Sequence, residues 1–204
     1  MILEDIKAQT LENHIKLEKS ALLSLFSTQQ IDLQCYRLIL TLFYGYFHPL
    51  EQKLDAIAGI PLYLTDYDTR RKSSLLLSDI QALSKRSIAD AALPLCPDLP
   101  PVSDEPQAFG CLYVMEGSTL GGKYIARQLR DQLGLTASSG AAFFNGYGEE
   151  TGLRWKNFQH ALRTFSEQSG QQEAIIQSAN QTFEKLYCWI NINQSNHSLL
   201  LQPV

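Results

Sequence analysis

His14 stands four residues after Thr10, three before Leu17 and four before Glu18. On a helix those offsets place it on a stripe with Leu3, Ile6, Thr10, Leu17 and Ala21, its imidazole directed to the interior rather than to water. A carboxylate one turn further on, here Glu18, can accept the free ring N–H of a histidine whose other nitrogen holds a metal, directly or through water, and so fix its tautomer. The same placement fits an ordinary core histidine satisfied by a carbonyl. A second unusual set is Gly117, Gly121 and Gly122, which has helix-forming sequence on both sides. Each glycine costs about 1 kcal/mol against alanine inside a helix, so a contact worth roughly 3 kcal/mol should compensate. Gly117 and Gly121 are i and i+4 on one face, where a missing Cβ lets a flat group lie against the backbone or lets another helix approach closely. These glycines lack the strand–loop–helix setting that phosphate binding needs.

The elements that would carry these residues are helices. Leu3, Ile6, Thr10, His14, Leu17 and Ala21 recur in threes and fours, with Lys7, Glu12, Lys16 and Lys19 off the stripe. A second helix is expected from Asp32 to Ala58, through Leu33, Tyr36, Leu40, Phe43, Phe47, Leu50 and Leu54, and a third from Asp66 to Leu83. Pro94, Pro97, Pro100 and Pro101 then mark a loop. Residues 105–133 read as a glycine-containing fourth helix, and two amphipathic helices follow over 148–168 and 171–191. Alternating β-branched segments are nearly absent, and the expectation is an all-α, single-domain bundle of about six helices over residues 1–192 with a loose tail over 193–204.

A chain of 204 residues, 45% hydrophobic and 19% charged, suits one sizeable core. Its net charge of −4 and lack of a Lys/Arg cluster argue against nucleic acid as a partner. Cys35, Cys96, Cys111 and Cys188 form no Cys-x-x-Cys pair, which argues against structural zinc or a redox dithiol and fits free thiols in a reducing compartment. Acidic residues in Met1–Ile6 and the absence of a long apolar run lead to the expectation of a cytoplasmic protein without a membrane span. His48, His160 and His197 have no ligand-spaced partner, and the aromatic run Phe43, Tyr44, Tyr46 and Phe47 reads as core, part of which could line a pocket.

The two helical elements together resemble a known family. Ile6–Glu18, with Thr10, His14 and Glu18 spaced by fours, is similar to the proximal helix of haem oxygenases, and Glu116–Gly122 resembles their distal G-x-x-x-G-G helix. The segment from Phe143 through Gly152, with Trp155 and Phe158, further resembles the bacterial, biliverdin-producing branch found beside bacteriophytochromes. The resemblance spans approximately residues 3 to 190. It implies a haem oxygenase-like fold and haem as both substrate and prosthetic group, ligated by His14 with Glu18 and Thr10 in support and Lys7 at a propionate. It further implies opening of the ring with O₂ to biliverdin, carbon monoxide and ferrous iron, with the α isomer as the family default. Gly117, Ser118, Gly121 and Gly122 would form the distal surface, and Arg127, Arg154 and Lys156 are further candidate rim cations. Ser118 replaces the Asp that animal enzymes carry to order water, and Lys123 stands where a glutamine often follows the glycine pair.

No flavin or iron–sulfur motif is present in the sequence, so electrons would come from an external donor, a ferredoxin or a flavin reductase, and a bacteriophytochrome could accept the biliverdin. Two alternatives use the same helices differently. A thiaminase-like enzyme on this architecture would need Cys111 or Cys188 as nucleophile, and a haem carrier or sensor would keep His14 without turnover.

Overall fold

The computed structural model describes residues 1–84 and 93–195. Among these residues there is no strand. Six helices of ten residues or more form the body: α1 (Ile2–Glu18), α3 (Leu33–Asp55), α5 (Ser73–Ala82), α6 (Glu105–Leu133), α8 (Thr151–Ser169) and α9 (Gln172–Asn193). Three single-turn helices, α2 (Ser24–Ser27), α4 (Ile60–Tyr63) and α7 (Ala142–Asn145), complete it. The all-α bundle expected from the hydrophobic periodicity is therefore observed. His197 and most of the expected tail, from residue 196, lie outside the described residues.

α3 is the buried axis. Its stretch from Leu38 to Phe47 is buried throughout, and Asp32 caps it by accepting the amide N–H of Cys35 at 2.7 Å. Pro49 lies inside this helix, where it cannot donate to the carbonyl of Gly45 four residues earlier. That carbonyl instead accepts the amide N–H of Cys96 at 2.8 Å. Gly45 also has no Cβ to meet the carbonyl oxygen of Pro94, which would lie 2.3 Å away. A helix defect and a glycine thus dock the proline-rich loop onto the core.

α6 runs over the full expected span because its ends are well marked. Asp104 accepts the amide N–H of Gln107, Pro106 sits in the first turn, and Gly134 closes the helix at φ +67°. α6 packs along α9 and against α7 and α8, and α1 lies across α9.

The expected third helix is shorter than its pattern. Residues 67–69 form a 3₁₀ turn and α5 begins only at Ser73. The reason is tertiary: the side chains of Arg70 and Lys72 are drawn inward onto Glu116 of α6, and that pull overrides the local helical preference. Likewise α8 starts at Thr151 after a 3₁₀ turn over Gly148–Glu150.

Candidate active site

A groove of about 420 Å³ opens between α1 and α6, with α8 and α9 as its other sides and Phe43 and Phe47 of α3 in its floor. From α1 it is lined by Leu3, Lys7, Thr10, Leu11, His14 and Leu17. From α6 it receives Tyr113, Val114, Gly117, Ser118 and Leu120, from α8 Trp155 and Gln159, and from α9 Phe183 and Leu186. The lining is mostly apolar and contains no carboxylate, with a few polar groups among apolar walls, as in small-molecule pockets generally. Another depression, of about 460 Å³, lies along the C-terminal half of α6 beside Lys123, Arg127 and Arg130 and holds neither His14 nor the Gly117 face.

His14 does not point into the core. Its side chain is 49% exposed, in the wall of the groove. The helix explains this: at 100° per residue His14 lies about 80° round from Ile6, so that Ile2, Ile6 and Leu17 take the buried edge while His14 and Lys7 centre the groove face. Its ring meets Phe183 edge-on at 5.6 Å between centroids, and Nε2 stands 3.7 Å from Glu18 Oε1. At that separation Glu18 can reach the imidazole through a water or a small side-chain movement. Thr10 is buried, donates to the carbonyl of Ile6 at 2.6 Å and meets the phenol of Tyr113, whose pKa burial pushes up. A Thr10–Tyr113 contact thus joins α1 to α6 in the lining of the groove.

On α6 the glycines separate into two roles. A Cβ on Gly117 would find only Trp155, at 3.9 Å, and one on Gly121 would find nothing within 4 Å. Those two positions share a face and leave its backbone bare. Gly122 lies about 140° round from Gly117, buried, and a Cβ there would stand 2.3 Å from the carbonyl oxygen of Phe144. The expectation that Gly122 belongs to the distal surface is corrected accordingly: it is where α7 packs on α6. Ser118 lines the groove and donates its hydroxyl to the carbonyl of Met115 at 2.7 Å, which leaves its oxygen lone pairs free to accept from water.

Residues 1–191 match the family model described as "Heme oxygenase". The chain belongs to the haem oxygenase family. That membership bears out the family resemblance read from the sequence. A curated relative, a heme oxygenase of Xanthomonas campestris pv. campestris (strain 8004), is 34% identical over 119 residues, 58% of this chain. The match spans 63% of that relative's length. Among solved structures, the heme oxygenase from Leptospira interrogans shares the fold with a TM-score of 0.75 at 17% identity, covering 94% of this chain and 98% of that one.

Within this haem oxygenase fold the expected rim cations divide. Lys7 is exposed and lines the groove. Arg127 lies on the other depression, 3.6 Å from Asp131, and Arg154 is engaged by Asp66 at 2.8 Å and by Glu150 at 3.3 Å, while Lys156 is exposed on α8 outside the lining. Cys111 is fully buried against Ser178 and Thr182, and burial pushes its thiol up, so it is no nucleophile. Cys188 is exposed on α9, outside the groove lining. Among the described residues no group of three or more His, Cys, Asp or Glu side chains could hold a metal ion, and no helix is long and apolar enough to cross a membrane.

Sequence reasoning missed Tyr113 and Gln159 as groove residues. Each could have been found by one more step along a face already noted, since Tyr113 precedes Gly117 by four and Gln159 follows Trp155 by four.

Proposed function

We propose that the groove takes haem, which His14 would hold through its imidazole and the bare backbone of α6 at Gly117 would accommodate, and that the protein opens haem to biliverdin with release of carbon monoxide and ferrous iron. The observation that carries this reading is the meeting of a half-exposed histidine and the Cβ-free backbone of Gly117 on one apolar groove, with Gly121 one turn further along that face and outside the groove's lining. The residues fit such a guest: one accessible imidazole, a glycine that only the edge of Trp155 approaches, and aromatic walls. When bound, haem supplies the oxygen chemistry through its own iron.

The chain's residues do the rest. His14 holds the ring in register, and Glu18 holds the imidazole's second nitrogen through water. Gly117 and Gly121 bring the backbone of α6 close to the ring and limit the space above it. Ser118, its own proton committed to Met115, accepts from water and so orients a chain of waters without being the acid itself. Phe43, Phe47, Trp155, Phe183 and Leu186 exclude bulk solvent. Lys7 at the mouth offers a cation to a propionate. O₂ and electrons come from outside, the latter from a ferredoxin or flavin reductase. The Phe143–Gly152 segment favours the branch that feeds biliverdin to a bacteriophytochrome in the cytoplasm.

The test is spectroscopic. Haemin added to the protein should give a Soret band that His14→Ala weakens or shifts, and reductant with oxygen should replace it by the broad red absorption of biliverdin. A Soret band that survives reduction in oxygen would make the protein a haem carrier or sensor. No Soret band at all would overturn the haem reading.

A further inference from the structure

Flanking the glycine face of α6 is a buried charge cluster that haem binding does not use. Glu116, the residue before Gly117, is 1% exposed. Its carboxylate accepts from Lys72 Nζ at 2.7 Å, from the Arg70 guanidinium, and from the Tyr147 hydroxyl at 2.8 Å. Arg70 also forks onto Asp66 at 2.8 and 2.9 Å and donates to the backbone carbonyl of Arg154 at 3.1 Å. Asp66 in turn holds the Arg154 guanidinium at 2.8 Å. The next residue on α8 is Trp155, the groove wall that faces the missing Cβ of Gly117. One set of ionic contacts therefore ties the 66–72 segment to both α6 and α8 beside the groove.

A buried ion pair is a weak source of stability, because the desolvation of its members offsets most of their attraction, and apolar residues of similar volume would hold two helices as well. What charges can add is a single allowed register. Glu116 sits about 100° round α6 from Gly117, so pinning its carboxylate fixes the helix rotation that turns Gly117 and Ser118 to the groove. We propose that Glu116, anchored by Lys72 and Arg70, is a positioning residue: it sets the rotation of α6 and its spacing from α8, and hence the width of the groove between Gly117 and Trp155. The inference rests on the haem reading only for its ligand readouts.

Its test begins without ligand. The chain has two tryptophans, so Trp189→Phe leaves Trp155 as the reporter of the groove wall. In that background Glu116→Gln should red-shift Trp155 emission and raise its quenching by acrylamide. In the full chain it should speed haemin transfer to apomyoglobin about tenfold, the scale of a coupled buried charge pair. Lys72→Met alone should give a smaller change of the same sign, since Arg70 and Tyr147 still hold Glu116. Added to Glu116→Gln it should restore part of the loss, because it removes a cation left without its counter-charge. Leu129→Ala, a fully buried truncation more than three turns along α6, controls for loss of stability alone.

Trp155 and haemin-release changes no larger than those of Leu129→Ala at matched thermal stability, with no rescue by Lys72→Met, would reduce the cluster to ordinary packing and overturn the proposal. If Glu116→Gln does not fold, Lys72→Met against Leu129→Ala decides by the same readouts. A Trp155 response with rescue in a protein that binds no haemin would uphold the positioning role while the haem reading fails.

Discussion

Gly117, Gly121 and Gly122 look alike in the sequence and behave differently in the fold. Over Gly121 there is open space, over Gly117 a single ring atom at van der Waals distance, and over Gly122 a backbone carbonyl. Gly121→Ala should therefore stabilise the ligand-free protein by about 1 kcal/mol through helix propensity, which for a chain of this size is about 2–4 °C in Tm. Gly117→Ala should be stabilising or neutral. Gly122→Ala must push α7 away and should cost about 1–3 kcal/mol, as overpacking does. If the bare face takes haem, the first two substitutions should weaken haemin binding although they do not harm the fold. Thermal melts with and without haemin check both halves. Equal destabilisation by all three would show that the glycines serve packing alone, and a stabilised Gly121→Ala protein with parental haemin affinity would remove that face from the ligand.

Among elements, the helices that were legible in the sequence are those whose ends and faces are locally encoded. α6 carries its own cap at Asp104 and its own stop at Gly134, and α3 starts at Asp32. The segment 66–83 carried a helical pattern as well, yet Arg70 and Lys72 leave the helix to reach Glu116, 46 and 44 residues away, and no local signal announces a partner so distant. The inward direction expected for His14 failed for a related reason. A stripe of apolar residues shows that a face is covered, but whether by core or by an open groove depends on how α6, α8 and α9 stand around α1. α7 is the clearest case of an element made by another. Asp79 of α5, 1% exposed, accepts the amide N–H groups of Ala142 at 2.7 Å and Phe143 at 2.8 Å. Burial pushes its carboxyl up, with the two amides pulling back. Phe143 packs on Phe43 and Phe47 of the groove floor. Asp79→Ala leaves both amides without an acceptor and should cost about 2 to 3 kcal/mol, with Asp79→Asn, which keeps one acceptor oxygen, costing less. Urea unfolding measures this, and a loss below about 0.5 kcal/mol, the range of a substitution at a featureless surface site, would mean that α7 is held by its phenylalanines alone.

At the scale of the whole molecule, the ionic contacts around Asp66 connect segments far apart in sequence, so the fold as a unit should feel their titration. Burial raises the Asp66 carboxyl, but Arg70 and then Arg154 outweigh it, and its pKa lies below the ordinary value of 3.8. A carboxylate whose folded pKa is depressed contributes stability that is present above its unfolded pKa and is lost as pH falls through the folded one. Asp66→Asn should thus be less stable than the parent at pH 7, and the difference should begin to shrink as pH drops below about 4, the unfolded carboxylate's range, and go on shrinking until pH has passed the lower folded value, where both proteins present a neutral group to Arg70 and Arg154. Tm measured for both proteins between pH 3 and pH 7 gives the comparison directly. A gap that stays constant across that range would mean that shape and hydrogen bonding at Asp66, rather than its charge, hold the 66–72 segment between α6 and α8. In that case Glu116 would supply most of the charge that holds Arg70, and the loss on its replacement by glutamine should be correspondingly larger.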